Sequence, residues 1–537
     1  MSSSALNVYG DQNILVPAHL HFGKYLLNHV KNVQDTVALV HAESGEQITY
    51  KELTQCAVNL ASELMKLGVG RGDIVALGTE KRNEIAPIVL AVLLTGAAYT
   101  TFNLYNGKST LKHKLSIARP NYFIYSKLFW ERYSDLLLAS DSIETLMTLD
   151  VEITNVPCIK TFMNCYVDIN SFEPAEVKGQ IDTAIIFYSS GTTGLPKGVC
   201  FTHLNCILNL IPFILDYGSL QKFLTCGEWY HTYDTFSVFR YLSIGKTIIY
   251  VTKVTAENIL KSINEYKIDM AMLTTNLIDD LCKICDTDYY SETMKVIYNV
   301  AAPLHNRTVE SIKKRFPNLK EVFKGYGMTE CGDITSENWG TKGPKSGSVG
   351  VVSPGIVLKV TDPVTGRTLG PNERGEIRVK GPGLMKGYIG MDPSTYLDED
   401  GFLKTGDLGY YDDDKYFYIV DRIKEILRYD GFQISPLELE SILQMHPDVL
   451  EVGVVGKHSE EHGDLPTAFV VTVPGAKVTE QELINYMDGE VPPFMHLAGG
   501  VKFVTKLPRT PLGKILRREL GEMLKNERIK KKNLYLG

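Results

Sequence analysis

The chain has 537 residues, of which 44% are hydrophobic, 22% charged and 10% aromatic, and its formal net charge is −7. That length exceeds what one hydrophobic core supports, so two or more domains are expected, and the composition is that of a globular protein without a long disordered region. An acidic balance with no dominant basic face excludes nucleic acid as a main partner.

The opening Met1-Ser2-Ser3-Ser4 lacks the basic and apolar regions of a secretion signal, and the closing Leu534-Tyr535-Leu536-Gly537 is not the Ser-Lys-Leu peroxisomal address. Nine scattered cysteines suit reduced thiols, so a cytoplasmic protein is expected. Strand-like and helix-like stretches alternate through residues 1–420, the pattern of an α/β layered fold. Tyr50-Lys51-Glu52-Leu53 opens a helix with apolar spacing through Val58, Leu60, Ala61, Leu64 and Leu67, closed by Gly68. Asp73 to Leu77 reads as a buried parallel strand. Ala86 to Phe102 is too short and too interrupted to span a membrane, and reads as a buried helix running into a strand.

After the apolar run Ala184-Ile185-Ile186-Phe187 comes Tyr188-Ser189-Ser190-Gly191-Thr192-Thr193-Gly194-Leu195-Pro196-Lys197-Gly198. Glycines let backbone N–H groups converge into an anion-binding nest, hydroxyls add donors, and the lysine adds a mobile positive charge. This is a phosphate-gripping loop, but not a P-loop, because Gly198 stands after the lysine where Ser or Thr would hold magnesium. Thr247 to Val251 reads as another parallel strand. Cys282 and Cys285 form a lone C-x-x-C within a helical pattern, read as packed thiols, not a zinc site. Between Leu403 and Val420 a strand pair is expected, turning at Asp412-Asp413-Asp414. A domain boundary is placed at 421–424. Beyond it, Ser435-Pro436-Leu437-Glu438 is a capping box with proline at the first helical position. Lys514 lies in a Pro/Gly-rich loop just before a helix expected from Ile515. Lys525 to Lys532 reads as a solvated basic tail.

The loop at 188–198 stands in order with Gly325-Tyr326-Gly327-Met328-Thr329-Glu330, Thr405-Gly406-Asp407, Asp421-Arg422-Ile423-Lys424 and Pro508-Arg509-Thr510-Pro511-Leu512-Gly513-Lys514. This series resembles the signature of the adenylate-forming superfamily: acyl-CoA synthetases, 4-coumarate–CoA ligases and beetle luciferases. The resemblance covers nearly the whole chain, from about Gln47 to about Leu520. It implies an α/β fold with a large N-terminal adenylation domain of layered sheets and helices (1–420), a hinge (421–424) and a small, mobile α+β C-terminal domain (425–537). It implies ATP, Mg2+ and coenzyme A as cofactors or co-substrates, and a small-molecule carboxylic acid as substrate.

Residue by residue, the resemblance implies a phosphate site from Ser189, Ser190, Gly191, Thr192, Thr193, Gly194 and Lys197. It implies an adenine-lining segment Ala301-Ala302-Pro303, and nucleotide contacts from Gly325, Tyr326, Gly327 and Thr329, with Glu330 as the magnesium ligand. Read alone, Thr329-Glu330 also fits a helix start after a Gly-rich turn. Asp407 is the expected ribose acceptor. Arg422 is expected as a second ribose or phosphate contact, or in a surface ion pair. Lys514 is the expected adenylation lysine and Lys424 the hinge residue. Arg428, Gly431 and Gln433 match the loop of the second, CoA-using conformation, although Arg428 and Asp430 stand where coumarate ligases and luciferases commonly carry lysine. His231 and Tyr233 match the acyl-pocket segment, with His231 taken as catalytic alongside Lys514 and Thr329.

Departures cluster on the acyl side. Glu228 replaces a usual proline, Thr274-Thr275-Asn276 stands where relatives carry a Val-Pro-Pro-like element, and Val300 replaces a glycine, so a reshaped or shortened pocket is expected. The expected activity is ATP-dependent ligation of a fatty or aryl-propenoic acid to CoA through acyl-AMP, an acid–thiol ligase of fatty acid metabolism. Three alternatives stay open: a luciferase-like acyl-AMP monooxygenase, acyl transfer to a carrier protein, and a non-catalytic acyl-AMP or lipid-binding relative.

Overall fold

The computed structural model describes all residues except 1–5, 190–195, 211–219, 285–290, 301–303, 305, 339–342, 431, 510–513 and 535–537, and describes the backbone alone at 300, 306, 433 and 527–534. The chain is a mixed α/β protein with a large N-terminal and a small C-terminal domain.

Two large sheets with parallel centres organise the first part of the chain. One has seven strands in the order Gly387–Tyr388, Lys197–Thr202, Thr183–Ser189, Ala98–Asn103, Ile74–Thr79, Tyr122–Tyr125, Thr145–Thr148. The other has nine: Val351–Val352, Gly332–Ser336, Glu321–Met328, Val296–Val300, Met270–Thr274, Lys222–Thr225, Thr247–Tyr250, Val37–His41, Gln47–Thr49. Their inner strands are near-continuous apolar runs, as parallel strands covered on both faces require. The helix Tyr50–Lys66 supplies part of that cover. Thr49 and Glu52 form a reciprocal capping box at its start, Leu53, Ala57, Leu60, Ala61 and Leu64 are buried, and Gly68 ends it at φ 93°. The helix Ile85–Leu94 is buried on every side and passes directly into the strand Ala98–Asn103, so its hydrophobicity is that of a core helix. Among the described residues no helix is long and apolar enough to cross a membrane.

The strand pair expected between Leu403 and Val420 is present as Leu403–Tyr411 and Phe417–Arg422, antiparallel and turning through Asp412 to Asp414. Further on, a sheet ordered Phe432–Ile434, Leu427–Tyr429, Gly463–Thr472, Val449–Ser459 packs around a separate core that includes Leu439, Leu443, Val454, Val470 and Leu483. The capping box at Ser435 is only half formed. Ser435 Oγ accepts from Glu438 N and Pro436 opens the helix Pro436–Leu443, but the Glu438 carboxylate turns to Arg374 at 3.6 Å instead of back to the cap. Ser435 Oγ instead donates to Asp421 Oδ2 at 2.8 Å. The last helix begins at Arg517, two residues after the expected Ile515, because Leu516 N is held by Pro508 O at 2.9 Å. By internal packing the chain divides into a smaller unit (Met1–Asn7, Lys359–Arg378, Lys404–Gly537) and a larger one (Val8–Leu358, Val379–Leu403). Asp421 to Lys424 lies within the smaller.

Candidate active site

In the larger unit, the strands Thr183–Ser189 and Lys197–Thr202 form an antiparallel pair in which Ser189 faces Lys197, so the two ends of the phosphate loop are fixed side by side. Ser189 is buried. Ser190, Gly191, Thr192, Thr193 and Gly194 lie outside the described residues. The Lys197 ammonium stands 4.8 Å above the centre of the Tyr388 ring. Tyr388 reaches it because the short strand Gly387–Tyr388 pairs with Lys197–Thr202, placing Tyr388 opposite Val199. The Tyr388 hydroxyl then donates to Glu330 Oε1 at 2.7 Å. Burial and the negative Glu330 together hold that phenol protonated, so it remains a donor.

Glu330 and Thr329 occupy the turn between the antiparallel strands Glu321–Met328 and Gly332–Ser336, not the start of a helix. The turn is tight enough to require glycine. A Cβ at Gly327 would strike the Gly332 carbonyl, and Gly332 itself has φ 65° with the Asn209 side chain pressed against it. Gly325 leaves room for the Tyr298 hydroxyl. The Glu330 carboxylate is therefore delivered buried, at 5% exposure, with one oxygen held by Tyr388. A buried carboxylate of this kind fits a hard cation. Among the described residues no cluster of three potential metal ligands exists.

His231 stands at the N-cap position of the helix Thr232–Ser243, without a capping hydrogen bond from its side chain. Burial pulls its imidazole down to a pKa of about 4, and the neighbouring Lys114 ammonium pulls in the same direction, so at neutral pH it is an uncharged ring. Its ring centre lies 4.4 Å from that of Tyr230. Tyr233, two residues on, has its hydroxyl pKa raised by burial and by the nearby Asp333 carboxylate. The same helix carries Arg240, which donates to Asp333 Oδ2 at 3.0 Å and to the Asn209 carbonyl at 2.7 Å, a buried ion pair beside the acyl-pocket candidates. Thr274 ends the strand Met270–Thr274 opposite Val300, and Thr275 Oγ1 accepts from Asn299 Nδ2 at 3.0 Å. Of the departing positions, Thr275 thus carries a polar contact. The Val300 side chain and Ala301, Ala302 and Pro303 lie outside the described residues.

In the smaller unit, three candidates come together. Asp407 and Arg422 are cross-strand partners, with Arg422 Nε 3.0 Å from Asp407 Oδ1. Arg422 is thus in an ion pair, with a nearly buried aspartate. Lys514 lies within their field. Burial first, and then the Arg422 guanidinium, lower its pKa, while Glu425 and Asp407 oppose that shift. Arg517 braces the base of the Lys514 loop through hydrogen bonds to Glu440 at 2.6 and 2.7 Å and to Glu425 at 3.1 Å. Lys424 and Arg428 are exposed, with Arg428 on the strand Leu427–Tyr429, and Gly431 and the Gln433 side chain are not described. Tyr326 and Gly325 sit on the strand that leads to Thr329.

Two residues escaped the sequence reading. Nothing in the spacing marks Tyr388. Lys114 does leave a signal: it shares the i, i+3, i+4, i+7 stripe of Leu111, Leu115 and Ala118, the buried face of the helix Lys108–Ala118. A lysine in an apolar stripe is a charge with a reason to be there.

Comparison with known proteins decides the family. Residues 26–389 match the AMP-binding enzyme family and residues 438–514 match the AMP-binding enzyme C-terminal domain. The chain belongs to the adenylate-forming superfamily. Within it, the chain is 34% identical to a luciferin 4-monooxygenase of Nipponoluciola cruciata, covering 97% of this chain and 98% of that protein. It is 30% identical to a 4-coumarate–CoA ligase of Humulus lupulus, covering 96% of each. The crystal structure of ATP-bound MatB from Rhodopseudomonas palustris superposes with a TM-score of 0.85 at 26% identity, covering 94% of this chain and 99% of that one. Adenylate-forming chemistry joins two anions, so the cations and buried carboxylates in both units are of the type it requires.

Proposed function

We propose that this adenylate-forming enzyme is an ATP-dependent carboxylic acid–CoA ligase acting on a fatty or aryl-propenoic acid. The observation that carries the reading is the Lys197–Tyr388–Glu330 assembly. One aromatic side chain holds the Lys197 ammonium over its ring and fixes the Glu330 carboxylate with its hydroxyl. In this reading Glu330 binds magnesium, and the loop from Ser189 to Lys197 grips the phosphates. Asp407 accepts the ribose hydroxyls with Arg422 orienting it, and Lys514 steadies charge on the reacting carboxylate and α-phosphate. Magnesium, when bound, neutralises charge on the phosphates. A carboxylate oxygen forms a bond to the α-phosphorus as the bond to the pyrophosphate oxygen breaks. The CoA thiol sulfur then bonds the acyl carbon, AMP departs with the bonding electrons, and the thiol proton passes to solvent. Neutral His231 suits the acyl side, since it neither repels Lys114 nor ties up the carboxylate as a fixed cation.

A luciferase-like oxygenation is the second reading, supported by the 34% identity above. Against it stands Asn209, at the position where beetle luciferases carry an arginine. Its amide donates to the Asn205 and Gly383 carbonyls, both at 2.8 Å, and its side chain lies against Gly332. That position is already occupied by a structural lock.

The test separates the two half-reactions. Acid-dependent ATP–pyrophosphate exchange should be present in the wild type and fall about 10²–10³-fold in Lys514→Ala. CoA attack on supplied acyl-AMP should stay much closer to wild type. Equal loss in both steps would remove Lys514 from the adenylation role.

A further inference from the structure

Lys114 presents a problem that the reaction described so far leaves unsolved. It is 8% exposed, and among the described residues no carboxylate pairs with its ammonium and no acceptor takes a hydrogen bond from it. Its one contact of that kind is with an aromatic face: Nζ stands 4.8 Å above the centre of the Tyr188 ring. Burying an ammonium without a partner is costly, and an aromatic face replaces only part of its lost hydration. An anion arriving from outside would complete it.

The surroundings say which anion. The helix Lys108–Ala118 lies along the phosphate hairpin, with His113 Nε2 3.0 Å from the Pro196 carbonyl. Tyr188 is the first residue of the phosphate loop, and its ring is fixed by Phe102, with centres 5.6 Å apart, and by a hydrogen bond from Thr100 Oγ1 to its hydroxyl at 3.0 Å. Lys114 is therefore held over a fixed ring beside the paired strands that lead into and out of the loop. The phosphate and metal groups Lys197 and Glu330 gather on a different aromatic, Tyr388. Lys114 instead acts on His231, the residue that opens the acyl segment. The two lysines thus rest on different rings, Tyr188 and Tyr388, although Tyr188 pairs with Gly198 beside Lys197, and Lys114 also lies near enough to His231 to lower its pKa.

We propose that Lys114 is a substrate-binding residue that holds the free carboxylate of the incoming acid, between the Tyr188 ring and His231, before transfer to the α-phosphate. This rests on the ligase reading above. The carboxylate lends Lys114 the counter-ion it lacks, and Lys114 offsets the repulsion between the acid and ATP. Once the carboxylate oxygen bonds the α-phosphorus and pyrophosphate leaves, the carboxylate charge is gone and the hold weakens, which favours the forward step.

The experiment measures acid-dependent ATP–pyrophosphate exchange with octanoate, 4-coumarate and malonate as probe acids, in the wild type, Lys114→Met and Lys114→Arg, alongside thermal unfolding of each. Lys114→Met should raise KM for the accepted acid about ten- to a hundredfold, the size of one lost charge-assisted hydrogen bond, with KM for ATP within about twofold. Lys114→Arg should recover most of the loss. Inhibition by the uncharged amide of the same acid should be unchanged, because only the charge is read by Lys114. An unchanged acid KM in Lys114→Met, an equal rise in KM for acid and ATP, or a defect confined to CoA attack on supplied acyl-AMP would each overturn the assignment. If Lys114→Met does not fold, Lys114→Arg and Lys114→Gln carry the same comparison. A wild type that exchanges with none of the acids would overturn the ligase reading and this inference with it. A wild type that exchanges while Lys114→Met keeps its acid KM would overturn this inference alone.

Discussion

Tyr388 shows how much one hydroxyl carries at this site. Removing it leaves Glu330 Oε1 buried without its donor, at a cost of about 1–3 kcal/mol for an unsatisfied buried acceptor. The ring that supports Lys197 stays in place. Tyr388→Phe should therefore raise the magnesium concentration needed for half-maximal exchange by about tenfold, with little effect on KM for the acid. A magnesium titration of both forms checks this, and an unchanged midpoint would dissociate Glu330 from the metal. At this scale the sequence was informative about residue type more than about contacts. Asp407 was read as the ribose acceptor and Arg422 as a second ribose or phosphate contact or a surface ion pair, and the cross-strand register makes the two one ion-paired unit. That register depends on the turn length between two strands, which no single residue reveals.

Elements were more legible than contacts, because periodicity and caps are local. The helix from Tyr50, the core helix after Ile85 and the strand pair around Asp412 all appear where their patterns put them. The half-formed cap at Ser435 failed as a local reading for a long-range reason, since Asp421 and Arg374 compete for its two partners. The helix His203–Leu210 carries a further consequence. Its first residue, His203, is fully buried and accepts from Phe22 N at 3.2 Å. Burial, aided by His21, lowers its pKa to about 3, with Asp182 opposing. The unfolded chain then binds a proton near pH 6.5 that the folded chain refuses until about pH 3. Stability from this group is complete above pH 6.5 and is lost as pH falls through that window, by about 1.4 kcal/mol per pH unit. His203→Asn keeps an acceptor for Phe22 and removes the titration. Denaturant unfolding between pH 6.5 and 4 should show a pH slope smaller by about one proton than wild type. An identical slope would show that His203 is protonated in the native state.

Across the whole molecule, the family and the two-domain α/β architecture were legible because five motifs recur in a fixed order over nearly the full length. The acid was not, because the positions expected to shape its pocket are those where this chain departs from the family pattern. The hinge reading belongs at this scale as well. Lys424 is exposed, and a proline there fixes φ near −65°. Lys424→Pro should leave ATP–pyrophosphate exchange within a few-fold of wild type if that φ suits the adenylating conformation, while acyl-CoA formation falls by at least about tenfold. Both half-reactions persisting unchanged would place the working hinge elsewhere.

The central claim is that one chain activates a carboxylic acid with ATP and passes it to CoA. Its most direct test is a product balance: wild-type protein with ATP, Mg2+ and a panel of fatty, aryl-propenoic and dicarboxylic acids, with and without CoA, scoring AMP, acyl-CoA and oxygen uptake together. The account predicts that at least one fatty or aryl-propenoic acid gives AMP and acyl-CoA in equal amounts, with no oxygen consumed and little AMP when CoA is withheld. AMP release matched by oxygen uptake, or no acid-dependent AMP release with any acid, would contradict it.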